Sequence, residues 1–161
     1  MHFLSQPQYL FAALGPLYLI IVAWPLARID IREHRLPNKL VLPAFPITLL
    51  GQLAADLITM DFWPTVSALG LALVAFTAGL IANRRDSLGM GDVKLIAAMA
   101  LALGWFNPLS LVMALSVAFV AAGVIVAIKY LAKKTNMGSS IALGPYLLAG
   151  YSVVAIGQVL S

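Results

Sequence analysis

LIAAMALALGWFNPLSLVMALSVAFVAAGVIVAI, Leu95 to Ile128, is a run of 34 residues without a formal charge. As one α-helix it would be about 51 Å long, too long for a single crossing of a roughly 30 Å hydrocarbon layer and short for two full ones. The run carries its own break. Gly104, Trp105, Phe106, Asn107 and Pro108 combine a helix terminator, two interfacial aromatics and an Asn-Pro turn. The pattern predicts a short helix ending near Leu103 and a second helix from about Leu109 to Tyr130.

Working outward, the same logic divides the rest of the chain. Gln8 to Ala27 holds twenty uncharged residues and reads as helix 1. Met1 to Gln8 has no Lys or Arg, so helix 1 lacks the basic flank of a signal peptide and is expected to stay in the protein. RIDIREHRLPNK (Arg28 to Lys39) reads as a charged loop, Leu40 to Leu57 as helix 2 with Pro43 and Pro46 in its first turns, and Phe62 to Ala82 as helix 3. NRRDSLGMGDVK (Asn83 to Lys94) is a second charged loop. A third runs through Lys133 and Lys134 before helix 6, Ile141 to Leu160, with Gly144-Pro145 near its start.

With the break at residues 104–108 there are six crossings, and the loops after helices 1, 3 and 5 hold all ten basic residues. The positive-inside rule then places three short basic loops in the cytoplasm and both termini outside, in the plasma (inner) membrane. Composition agrees: 62% of the 161 residues are hydrophobic and 10% charged, against about 25% charged in soluble domains. A soluble globular fold is excluded, and the expectation is an all-α polytopic integral membrane protein. No linker or internal repeat divides it, so residues 1–161 read as one transmembrane domain. The net charge of +4 reflects basic residues kept in cytoplasmic loops, so membrane lipids and not nucleic acid are the expected contacts. Arg28, Arg32, Arg35 and Lys39 fall at helical spacing suited to anionic headgroups.

The chain has no cysteine, which excludes disulfides, thiolate metal sites and cysteine nucleophiles, and His2 and His34 form no ligand pair. Four acids lie near crossings, where an unpaired carboxylate is costly. Asp56 and Asp61 read as solvated residues of the outer turn. Asp86 reads as an ion-pair partner of Arg84 and Arg85. Asp30 follows helix 1, and Asp92 follows Gly89 and Gly91 at the opening of the short helix 4; both fall at the cytoplasmic boundary. Taken singly, Asp30 could pair with neighbouring arginines and Asp92 could cap helix 4. Taken together, two carboxylates at a partly dehydrated site share one proton, so that one activates water while the other acts as the acid. That is aspartic-protease chemistry, and it needs no metal and no cofactor. Of the neighbours, Pro37 ends any helix there, and Gly89 and Gly91 permit close backbone approach. Lys94, two positions past Asp92, reads as pointing away from it toward the surface, and Gly144 and Pro145 shape the start of helix 6 with a substrate-facing role as the alternative; with Gly89, Gly91 and Pro37 these are the residues expected to bind substrate or shape the site.

DIREHRLPN (Asp30 to Asn38), GMGDVKLIAA (Gly89 to Ala98) and ALGPYLLAG (Ala142 to Gly150) together resemble the type IV prepilin leader peptidases, GxGD-type intramembrane aspartyl proteases. The resemblance spans helix 1 to helix 6. It implies that Asp30 and Asp92 are the catalytic pair, that Gly89 and Gly91 form the motif's turn, and that the substrate is a prepilin, an apolar helix whose short hydrophilic leader is cut on the cytoplasmic side. Larger members of the family carry an insertion with paired cysteines and N-methylate the new terminus. This chain has neither insertion nor cysteines, so no methyl transfer is expected, and the minimal form is similar to peptidases of Flp (Tad) pili and to archaeal preflagellin peptidases. From other classes, a small proton- or cation-coupled transport protein would use the same carboxylates, although such acids usually lie near the midplane. A non-catalytic assembly subunit would leave both acids unexplained.

Overall fold

The computed structural model describes residues 6–85, 88–131 and 142–160, and among these the secondary structure is entirely helical. α1 (Pro7–Ala12) and α2 (Leu14–Glu33) form one apolar rod interrupted at Ala13. The interruption has a local cause: Pro16 has no N–H to donate to the carbonyl of Ala12, four residues back. The buried residues of α2 include Gly15, Leu19, Val22, Leu26 and Asp30, a stripe of three- and four-residue steps that faces the bundle. Asp30 is thus on the inward face of the last turns and only 6% exposed.

This corrects the expected loop from Arg28 to Lys39. Nothing in Arg28 to Glu33 breaks a helix, so α2 continues to Glu33 and stops at His34, which takes a left-handed conformation (φ 51°) and donates its N–H to the carbonyl of Asp30. The connection is only residues 34–37. Pro37 leads into α3 (Asn38–Val41), and α4 follows (Ala44–Thr59). The hydroxyl of Tyr18 donates to the carbonyl of Leu40 at 2.9 Å, fixing α3 against α2.

α5 (Trp63–Arg84) opens with Pro64, which is tolerated in a first turn. α6 (Met90–Gly104) ends at the expected break, and Asn107 accepts the N–H of Leu109 at 2.9 Å to start α7 (Leu109–Leu131). α8 is Gly144–Leu160. The expected Asp86 ion pair and the third polar loop, with Lys133 and Lys134, lie outside the described residues.

α6 occupies the centre. Every residue from Leu95 to Gly104 is buried, and α6 touches α2, α3, α4, α5, α7 and α8. Its most extensive neighbour, α5, approaches through small residues: a Cβ on Gly79 would stand 2.9 Å from Val93, and one on Gly104 would stand 3.0 Å from Ala68 Cα. Large apolar side chains such as Ile21, Leu50, Leu73, Val120 and Val153 point outward, as lipid-facing positions do. Among the described residues, four helical segments are long and apolar enough to cross a membrane: Pro7–Glu33, Asn38–Thr59, Trp63–Arg84 and Leu109–Ile128.

A second correction concerns Asp56. It is completely buried rather than solvated, and its Oδ1 accepts the indole N–H of Trp105 at 2.8 Å. One helical turn away, buried Gln52 donates to the carbonyl of Leu101 at 2.7 Å. The two bonds tie α4 to the far end of α6. A carboxylate removed from water is retained where a donor meets it, and Trp105 is that donor.

Candidate active site

Four chain segments meet at one end of the bundle: the last turn of α2, the start of α3, the first turn of α6 and the first turn of α8. Asp30 comes from the first of these and Asp92 from the third. Both line a cavity of about 400 Å³, and their carboxylates are near enough to act on each other electrostatically. The basic residues Arg28, Arg32, Arg35, Lys39, Arg84 and Lys94 lie at this same end, while Asp61 lies at the other.

Asp30 is fixed by the start of α8. The N–H of Gly144 donates to Asp30 Oδ2 at 3.0 Å. That amide belongs to the first residue of α8 and has no acceptor within its own helix, so the carboxylate satisfies it and the helix dipole favours the negative charge. The approach is so close that a Cβ on Gly144 would stand 2.6 Å from Asp30 Oδ2. Gly144 is therefore part of how Asp30 is held, while Pro145, in the first turn of α8, does not line the cavity.

Asp92 is the third helical residue after the N-cap Gly89, and its carboxylate accepts the N–H of Gly89. This is one half of a capping box, with the acid reaching back to the N-cap amide. The other oxygen, Oδ1, is buried and has no hydrogen-bond partner among the described residues. One carboxylate thus reaches back to the start of α6 through one oxygen and keeps a second oxygen that no described residue engages.

The glycines serve the protein's own packing. A Cβ on Gly91 would stand 2.9 Å from Leu36 Cβ, and one on Gly89 would stand 3.1 Å from Asp92 Oδ2. Leu36 is buried and also touches the position of a Gly144 Cβ, so this one side chain wedges the connection after α2 against α6 and α8. Pro37 supplies the N-cap position of α3 and lies outside the cavity lining. Lys94 lines the cavity and donates to Asn38 Oδ1 at 3.0 Å rather than to Asp92. Leu36, Asn38 and His34, which also lines the cavity, were not singled out by sequence reasoning. The cue for Leu36 was its place beside Pro37, where the chain must turn back onto the bundle. Among the described residues no three His, Asp or Glu side chains are grouped closely enough to hold a metal ion.

An all-helical membrane chain with two carboxylates facing one cavity has the groups needed for acid–base hydrolysis, one to take a proton from water and one to give a proton to the departing amine. The profile of the type IV leader peptidase family matches residues 17–128, and the chain belongs to that family, whose members are proteases. No curated protein and no solved structure matches the chain. The matched region contains Asp30, Leu36, Gly89, Gly91, Asp92 and Lys94, and stops short of Gly144.

Proposed function

We propose that this chain is a membrane-embedded aspartic endopeptidase that removes the short hydrophilic leader of type IV, Flp-like prepilins, with Asp30 and Asp92 as its catalytic pair. The observation that carries the reading is the meeting of these two acids, from helices far apart in sequence, in one cavity at the basic end of the bundle. Six crossings put that end at the cytoplasmic face of the plasma membrane and both termini outside, in a single transmembrane domain. There an apolar substrate helix leaves the bilayer and its hydrophilic leader begins.

The pair works with one proton between its members. The ionised carboxylate takes a proton from water as the water attacks the scissile carbonyl. The protonated one polarises that carbonyl and then protonates the leaving amine. Gly144 holds Asp30 in place, and the Gly89 N–H holds Asp92, so each acid enters the reaction already oriented. No methyl transfer accompanies cleavage. The test is co-expression with candidate prepilins: leader loss appears with the wild type and disappears with Asp30→Asn or Asp92→Asn, while Asp61→Asn, at the opposite end, retains it. Leader loss with both cavity variants would end this reading.

A further inference from the structure

Lys94 is a cation whose charge the site does not use. It is half-buried at the cavity, and its only hydrogen bond among the described residues is to the neutral amide of Asn38. An ammonium has three donors, so two remain. Among the described residues no carboxylate pairs with it. Its hydrogen bond goes to Asn38 and not to either acid of the cavity, and residues two apart on a helix diverge by about 200°. A neutral side chain would tether α6 to Asn38 equally well, so the tether does not account for the charge.

The surroundings give the charge a direction. Asn38 opens α3, and with His34 and Arg35 it lines the same cavity as the two acids and Lys94. The cavity thus holds two carboxylates, from α2 and α6, together with cationic or donor groups from α6, α3 and the connection before α3. An extended segment crossing it would have its scissile bond at the acids and a neighbouring side chain at Lys94.

We propose that Lys94, held by Asn38, is a specificity-determining residue that binds an acidic side chain of the substrate a few residues from the scissile bond. The proposal rests on the protease reading. The ligand chemistry is a carboxylate, which accepts two charge-assisted hydrogen bonds from the free ammonium donors.

The experiment uses the purified full chain and prepilin-type peptides in which a single Glu, or Gln in its place, is moved through the positions on either side of the scissile bond. At one position the Glu peptide should show a KM roughly tenfold to a hundredfold below that of the Gln peptide, with kcat little changed. Lys94→Gln should erase that contrast, Lys94→Arg should keep it, and Lys94→Glu should favour the peptide with Lys there. Asn38→Ala should weaken the contrast by loosening the lysine. A contrast at no position, one that survives Lys94→Gln, or an equal loss for every peptide would overturn the proposal. Peptide binding by fluorescence anisotropy is followed in parallel. If no peptide is cut but the Glu peptide binds better and Lys94→Gln removes the difference, the protease reading fails and the carboxylate subsite stands.

Discussion

A single methyl group at Gly144 would stand 2.6 Å from Asp30 Oδ2, less than the contact distance of the two atoms, so Gly144→Ala must move the carboxylate or the start of α8. A displacement of about 1 Å in a positioned group costs on the order of a hundredfold in rate, and leader cleavage by Gly144→Ala should fall by about that factor while the protein stays inserted. Activity within threefold of wild type would show that Asp30 does not need this support. Gly91→Val acts through Leu36: the added carbons meet Leu36 Cβ and push the connection after α2 away from α6. Turnover should fall sharply, and Leu36→Gly added to Gly91→Val, which removes the Cβ that the valine meets, should restore part of it; no recovery would place the glycine's role elsewhere. At this scale the sequence disclosed Asp30 and Asp92, because acids beside apolar runs and glycines are conspicuous. It did not disclose that the glycines accommodate Leu36 and Asp92, since a close approach within the protein and one to a substrate leave the same residue. Nor did it disclose that Lys94 meets Asn38, because helical periodicity describes a side chain's starting direction and not where four methylenes and an amide partner take it.

Helix ends were the hardest elements to read. The charges of Arg28 to Glu33 suggested a loop, yet α2 continues through them because ordinary helix formers persist until a left-handed residue and a proline intervene. The steps from Leu19 through Val22 and Leu26 to Asp30 were in the sequence and would have placed Asp30 on the buried face. The break between α6 and α7 was legible because glycine, asparagine and proline act locally. Asp56 was not, because its partner Trp105 lies on a different helix and nothing near Asp56 announces a donor. That bond predicts a stability effect at the end of the bundle remote from the cavity. Trp105→Phe leaves a buried carboxylate oxygen without its donor and should cost about 1–3 kcal/mol, seen as a lower Tm in detergent. Asp56→Leu combined with Trp105→Phe should lose less than the two single costs added. Strict additivity would mean that the contact contributes nothing.

For the whole molecule, the proposed six crossings rest on where the ten basic residues fall in the sequence. The chain has no cysteine, so single introduced cysteines report unambiguously. Cysteines at Arg32 and Leu131 should be labelled from the cytoplasm only, and cysteines at Asp61 and Asn107 from outside only. Labelling of Leu131 from outside would contradict the division into α6 and α7 within the membrane. The all-helical class was readable from composition, because only a bilayer accepts so much outward apolar surface. The meeting of α2, α3, α6 and α8 at one cavity was not, because helix order alone leaves many bundle packings open. The central claim concerns that meeting: two acids act as one catalytic unit. Its most direct measurement is the single-turnover rate of leader removal, followed by mass spectrometry of a purified prepilin, for wild type, Asp30→Asn, Asp92→Asn and the double variant. Each single variant should lose at least a hundred- to ten-thousandfold in rate, the double variant should be no slower than either, and the wild-type product should carry no added methyl mass. A single variant that retains near-normal cleavage, or losses that multiply in the double variant, would contradict a catalytic pair.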